Sequence, residues 1–142
     1  MSDLPSFRSL QHEDYQALGL VAGVIAREPV GFVSAQRYDV DLARRMFRPE
    51  WTWIAADDGA IVARAVWWGR PDSTSPLVLD CLWTDPRAGD RANLAGGLLA
   101  AAHRRFQEPP EAYRMTLRND WRTDPATRDA VAWRRTAAAT VG

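Results

Sequence analysis

Apolar positions in the first third of the chain change period several times. Phe7 to Leu10 reads as a short strand, and the polar stretch His12 to Asp14 suits a helix start. Leu18, Val21, Ala22 and Ile25 then recur at helical spacing until Pro29. Val30 to Tyr38 reads as loop. Asp39 can cap a second short helix, with Val40, Ala43, Met46 and Phe47 as its apolar positions and Pro49 as its stop.

From Trp51 the pattern becomes that of strands. The runs WTWIAA and AIVARAVWWG flank Asp57-Asp58-Gly59, a three-residue turn with glycine, and predict a hairpin. LVLDCLW is apolar at nearly every position, which predicts a third strand covered on both faces. A polar loop follows, and Asp90 can cap a helix whose buried stripe is Ala95, Leu98, Leu99, Ala102 and Phe106, halted by QEPPE. Tyr113 to Asn119 alternates and reads as a further strand. A last helix starts near Pro125, with Ala130, Val131, Trp133 and Ala137 facing inward. The order β, α, α, β-β-β, α, β, α predicts one α/β domain over residues 1–142 with a mixed, mostly antiparallel sheet. Its parallel crossover runs through the long helix and should be right-handed.

Composition narrows the function classes. With 18 basic and 18 acidic side chains the formal net charge is zero, which argues against a nucleic-acid binder. No stretch approaches the roughly 20 apolar residues of a membrane span, and the start carries no signal pattern, so a cytoplasmic protein is the expectation. The single cysteine, Cys81, has no second thiol and no metal-site spacing, and reads as a buried thiol. Neither His12 nor His103 has a second ligand at metal spacing, so no metal is expected, and His103 beside Arg104 and Arg105 reads as a solvated last helical turn. The tryptophans of the strands read mainly as core. Of the adjacent pair Trp67 and Trp68, one must face the opposite side of the sheet from the other.

The loop between the third meander strand and the long helix, TDPRAGDRANLAG, has a strand–turn–helix layout that can bind phosphate on free helix N–H groups. The element order resembles the GNAT superfamily, the Gcn5-related N-acetyltransferases, over the whole chain. In that family the strand before the long helix splays from the next one, acetyl-CoA lies in the split, and its pyrophosphate sits on a Q/R-x-x-G-x-G/A motif. RANLAG falls at that place: Arg91 fits the first position and Gly96 the last, while Leu94 stands where the first glycine would be. Asn119 ends the following strand as the family's asparagine does. Trp133 falls where a proton-donating tyrosine would stand, and no Gly-Phe pair follows.

The resemblance implies an acetyl-CoA-dependent N-acetyltransferase acting on an unidentified amine. Leu82, Trp83, Arg87, Gly89, Arg91, Asn93 and Gly96 would hold acyl-CoA, and Asp80 and Asn119 would be the catalytic-side residues. Asp80 is the base candidate because it is an acid in the middle of an apolar strand, where burial raises a carboxyl pKa; the other reading pairs it with Arg64 on an exposed part of the sheet. Asp85, before Pro86, reads as a turn cap. The overwritten positions also suit a GNAT-like domain that has lost turnover and acts as a binding or assembly module. The resemblance further implies two more strands than this sequence supplies. The strand at Tyr113 to Asn119 is then expected to present an open edge that forms a homodimer or takes a strand from a partner chain.

Overall fold

Alternation along the central strands sends Trp53, Ala65, Trp67 and Leu82 to one face of the sheet and Ile54, Val66, Cys81 and Trp83 to the other, where each set joins its own buried cluster. The computed structural model describes residues 5–32, 34–110 and 112–141. The readings of the chain's first residues, of Val33 within the expected loop and of Glu111 within QEPPE lie outside the described residues. The elements are β1 (Ser6–Ser9), α1 (Asp14–Ala26), α2 (Ser34–Ala43), β2 (Thr52–Asp57), β3 (Ala60–Trp68), β4 (Val78–Thr84), α3 (Arg91–His103), β5 (Ala112–Tyr113) and α4 (Pro125–Ala139). Short 3-10 turns occupy Pro49–Trp51 and Pro86–Ala88.

The five strands pair in the order β1-β2-β3-β4-β5. The first three pairings are antiparallel and β4 with β5 is parallel, reached through α3. This is the mixed, mostly antiparallel, helix-flanked sheet that the pattern predicts. The β2–β3 hairpin turns on two residues rather than three, Asp58 with φ 53° and Gly59 with φ 80°. Positive φ at both positions is what a tight hairpin turn with the right twist needs, and Asp-Gly supplies it.

α3 packs on the first face, with Ala95, Leu98, Leu99 and Ala102 against the tryptophans of β2 and β3. Trp67 and Trp68 point to opposite faces, as alternation requires: Trp67 is fully buried under α3, and Trp68 is half-buried on the other side with Arg114 over its ring. Cys81 is a buried free thiol.

Three expectations need correction. Ser34–Tyr38, read as loop, are the start of α2. This earlier start turns Tyr38 and Leu42, four residues apart, towards the core and leaves Val40 and Ala43 exposed. His103 is not a solvated end. It stacks against Trp67 and Phe106 at about 6.0 Å, and burial lowers its pKa. The long strand expected at Tyr113 to Asn119 is only Ala112–Tyr113, paired to Val78 and Leu79. The Arg114 N–H reaches Leu79 O at 3.0 Å, and pairing with β4 ends there. Beyond it Thr116 forms an antiparallel bridge with Gly31, with backbone bonds of 2.8 and 3.0 Å in the two directions. The edge expected to be open is therefore partly covered from within the chain.

Candidate functional site

β4 carries a bulge at Asp80. Its register with β3 steps from Val66↔Cys81 to Trp67↔Leu79, so Asp80 has no opposite residue. Asp80 is completely buried and takes a 2.7 Å hydrogen bond from Arg114 Nε. Arg64, the partner weighed from the sequence, does not pair with it. The general-base role that burial alone suggested for Asp80 now competes with a structural role, anchoring β4 to the segment that follows β5.

Past Leu79 the outer edge of β4 lacks a strand neighbour among the described residues, and side chains take its carbonyls. Arg134, on α4, donates Nε to Leu82 O at 2.8 Å and Nη1 to Ala130 O at 3.0 Å. Arg91, at the start of α3, donates Nε to Thr84 Oγ1 at 2.9 Å and Nη2 to Thr84 O at 2.8 Å. Both guanidinium groups converge on Glu28 Oε1, Arg91 at 2.7 Å and Arg134 at 2.9 Å. The Trp133 ring packs against both, 4.5 Å from Arg91 Cζ and 4.2 Å from Arg134 Cζ. Arg134 has no exposed surface at all. Three segments far apart in sequence thus meet at the edge where the resemblance implies that acetyl-CoA lies.

The phosphate loop is satisfied internally as well. Asp85 accepts from Arg87 N at 2.9 Å, and from the Arg87 side chain at 3.2 and 2.9 Å. That guanidinium, first through its hydrogen bonds, holds the Asp85 carboxyl below its usual range. Asp90 caps α3 by accepting from Asn93 N at 3.0 Å, which puts a carboxylate where a pyrophosphate would need positive potential. Gly89 has φ +84°, a conformation that suits glycine, and it joins the 3-10 turn to α3. At Gly96 a Cβ would lie 3.1 Å from Thr140 Oγ1, so this glycine lets the end of α4 approach α3. A cavity of about 1120 Å³ runs along this loop, lined among others by Arg87, Asp90, Asn93, Leu94, Gly97 and Phe7.

No family model matches the chain, and no curated protein does either. Among solved structures, the chain is similar to an N-acetylglutamate synthase from Neisseria gonorrhoeae, a structure complexed with coenzyme A and N-acetyl-glutamate. Identity is 14%, the TM-score is 0.48, and the match covers 72% of this chain. The chain spans 23% of that synthase's length.

Of the residues predicted from the sequence, Leu82 and Arg91 come together at the β4 edge, while Arg87, Gly89, Asn93 and Gly96 line or shape the adjoining loop and cavity. Trp83 points to the opposite face of the sheet, into the second cluster, because it is one residue out of phase with Leu82. Asn119 lies in an exposed turn after the short β5, not at the end of a strand beside Asp80. Glu28 and Arg134 are the residues sequence reasoning missed. Glu28 directly precedes Pro29 at the end of the first helix, and Arg134 follows Trp133 in an otherwise ordinary helix, so neither carries a local signal. Among the described residues no group of three His, Cys, Asp or Glu could hold a metal ion, and no helix is long and apolar enough to cross a membrane.

An acyl-CoA molecule does not fit the β4 edge as it stands. The carbonyls of Leu82 and Thr84 are engaged, the Asp90 carboxylate sits on the helix start, and the Tyr113 hydroxyl and Trp133 Nε1 are sealed from solvent. Burial pushes the Tyr113 phenol well above its usual value, so it is a poor proton donor in this form.

Proposed function

We propose that this chain is a GNAT-like acetyltransferase-type domain whose acyl-CoA cleft is closed by its own side chains, and that it serves as a binding or assembly module rather than a turnover catalyst. The observation that carries this reading is the buried Arg134, which bonds Leu82 O and Glu28 where a cofactor would have to lie. Opening that edge would expose an arginine pair whose shared carboxylate is already buried, and breaking a buried ion pair is costly.

An assembly role is supported by the far side of β5. Tyr113, Met115, Leu117, Trp121 and Val131 line an apolar groove of about 450 Å³ between that segment and α4. Among the described residues Gly31 covers the backbone only at Thr116, so the rest of the segment is a candidate surface for a homodimer or for a strand from another polypeptide.

One observation favours the catalytic reading instead. The cavity beside the loop is large and includes Arg87, Asn93 and Gly96, three of the positions the resemblance assigns to acetyl-CoA. Calorimetry with acetyl-CoA separates the two. The module reading expects no binding by the wild type and measurable binding by Arg134→Ala, in which the edge is freed. Tight binding by the wild type, with acetyl transfer to any amine in a panel, would overturn it. Light scattering at micromolar concentration tests assembly: a mass above one chain that Met115→Lys reduces is the expected result.

A further inference from the structure

A buried guanidinium keeps its charge and carries five N–H donors, so each one needs acceptors. Among the described residues Arg48, Arg64 and Arg134 are buried. Arg134 has Glu28 and two carbonyls. Arg48 donates to the carbonyls of Arg45, Arg70 and Pro71 at 3.1, 3.3 and 2.9 Å. Arg64 is 7% exposed and has neither, and its Nε is wholly buried without an acceptor.

The position of Arg64 in the sheet sharpens this. On β3 it lies opposite Ile54 of β2 and Trp83 of β4. Directly opposite residues share a face, with Cβ atoms about 5 Å apart. Trp83 Nε1 is also buried without an acceptor. Two buried donors on neighbouring strands therefore stand side by side with nothing to receive them. Arg8, in the same row on β1, shows the contrast: Asp14 of α1 neutralises it through both oxygens. The Tyr38 ring, 5.2 Å from Arg64 Cζ, offers its π-face.

We infer that Arg64 and Trp83 form a binding site for a carboxylate on the sheet face covered by α1 and α2. Two oxygens of one planar group match one edge of a guanidinium side-on, and the indole N–H adds a third donor. A single negative charge balances the single arginine. A phosphate would bring further oxygens among Ile54, Val66 and Tyr38, which offer few donors, and unpaired buried oxygens are costly. The site takes a small monocarboxylate or the carboxylate end of a larger molecule. It is independent of the closed edge at Leu82, since it lies on the other face.

The test is a nitrogen-15 NMR titration of the whole chain with sodium acetate, against sodium chloride at equal ionic strength. Trp83→Phe identifies the indole resonance of Trp83 by its disappearance. Acetate should move that resonance saturably and chloride should not. Arg64→Met should weaken the response about tenfold or more, the scale of one charge-assisted contact. In chloride alone Arg64→Met should melt no lower than the wild type, because an unpaired buried charge has been replaced by an apolar chain of similar size. The inference is overturned by a wild-type Trp83 resonance that acetate does not move, by an equal response in Arg64→Met, or by inorganic phosphate saturating the shift at lower concentration than acetate. A variant Arg64→Met that melts well below the wild type in chloride would also overturn it, since Arg64 would then be a packing residue.

Discussion

Glu28 and Arg134 meet at 2.9 Å across 106 residues of sequence, and Arg91 reaches the same oxygen of Glu28 at 2.7 Å. One carboxylate therefore balances two guanidinium groups, and its loss leaves both without a counter-charge. Glu28→Gln should lower stability by about 3–5 kcal/mol, the range for breaking a buried pair from one side. Arg134→Met, which removes the buried cation and leaves Glu28 with Arg91, should cost less. Urea unfolding followed by tryptophan fluorescence measures both. A loss under about 1 kcal/mol for Glu28→Gln, the size of an exposed pair, would show that the cluster is solvated and does not close the β4 edge.

The pH dependence should follow from groups whose folded pKa values are lowered. The Asp14 carboxyl is held below its usual range, first by the hydrogen bond from Arg8 and also by Gln11 N at 2.7 Å. Asp85 shifts the same way through Arg87, and His103 does so through burial. In each case the folded state binds fewer protons than the unfolded chain. Their contribution is thus present above the unfolded values, about 6.5 for histidine and 3.9 for aspartate, and is lost as pH falls through the folded ones. Stability should decline first below about pH 6.5, as His103 must charge, and again in the carboxylate range. His103→Gln should flatten the first decline and Asp14→Asn part of the second, leaving the share of Asp85. Melting temperatures from pH 8 to pH 3 check this, and an unchanged acid limb in Asp14→Asn would refute the assignment to Asp14.

The parts of the fold that were legible in the sequence are those that local chemistry dictates. Asp-Gly at the hairpin, Asp90 as a helix cap, and the stripe Ala95, Leu98, Leu99 and Ala102 all act within a few residues, and the structure has each of them. The strand expected up to Asn119 failed for a non-local reason. Alternating Tyr113, Met115 and Leu117 have the strand period, but a strand also needs a neighbour, and β4 past Leu79 is engaged by Arg134 and Arg91 instead. The same limit hid the candidate site. Asp80 was visible as an acid in an apolar run, yet its partner Arg114 lies 34 residues on, and Glu28 gained its two arginines only through the folded chain.

Packing around Gly69 gives a sharp substitution test. A Cβ there would lie 2.6 and 2.7 Å from two carbons of the Trp51 ring. That ring cannot swing away freely, since it is buried and Arg48 Cζ sits 3.9 Å from its centroid. Gly69→Ala should therefore cost about 1–3 kcal/mol, the range for overpacking. Gly23 in α1 has nothing within 4 Å of its would-be Cβ, so Gly23→Ala should gain up to about 1 kcal/mol from helix propensity. Thermal melts of the two variants should move in opposite directions. Equal shifts would mean that the Trp51 ring is free to rearrange.

Leu94 offers the test that separates a degenerate motif from a blocked cleft. It stands where the resemblance implies a phosphate-contacting glycine, on the first turn of α3, with its N–H given to Asp90 O at 3.1 Å. Its side chain is half-buried against the first core cluster. If the leucine alone excluded acetyl-CoA, Leu94→Gly would restore binding. The structure predicts otherwise, because the Asp90 carboxylate still caps the helix and Arg134 still holds Leu82 O. Leu94→Gly should lose about 1 kcal/mol of helix propensity, plus part of the packing of a leucine, and should gain no affinity. Combining it with Arg134→Ala frees the β4 edge as well, so the double variant should show calorimetric heat with acetyl-CoA as Arg134→Ala does, while Leu94→Gly alone shows none. Binding by Leu94→Gly alone, with Arg134 in place, would mean that the guanidinium at Leu82 yields readily to a ligand and that the leucine is what keeps acetyl-CoA out.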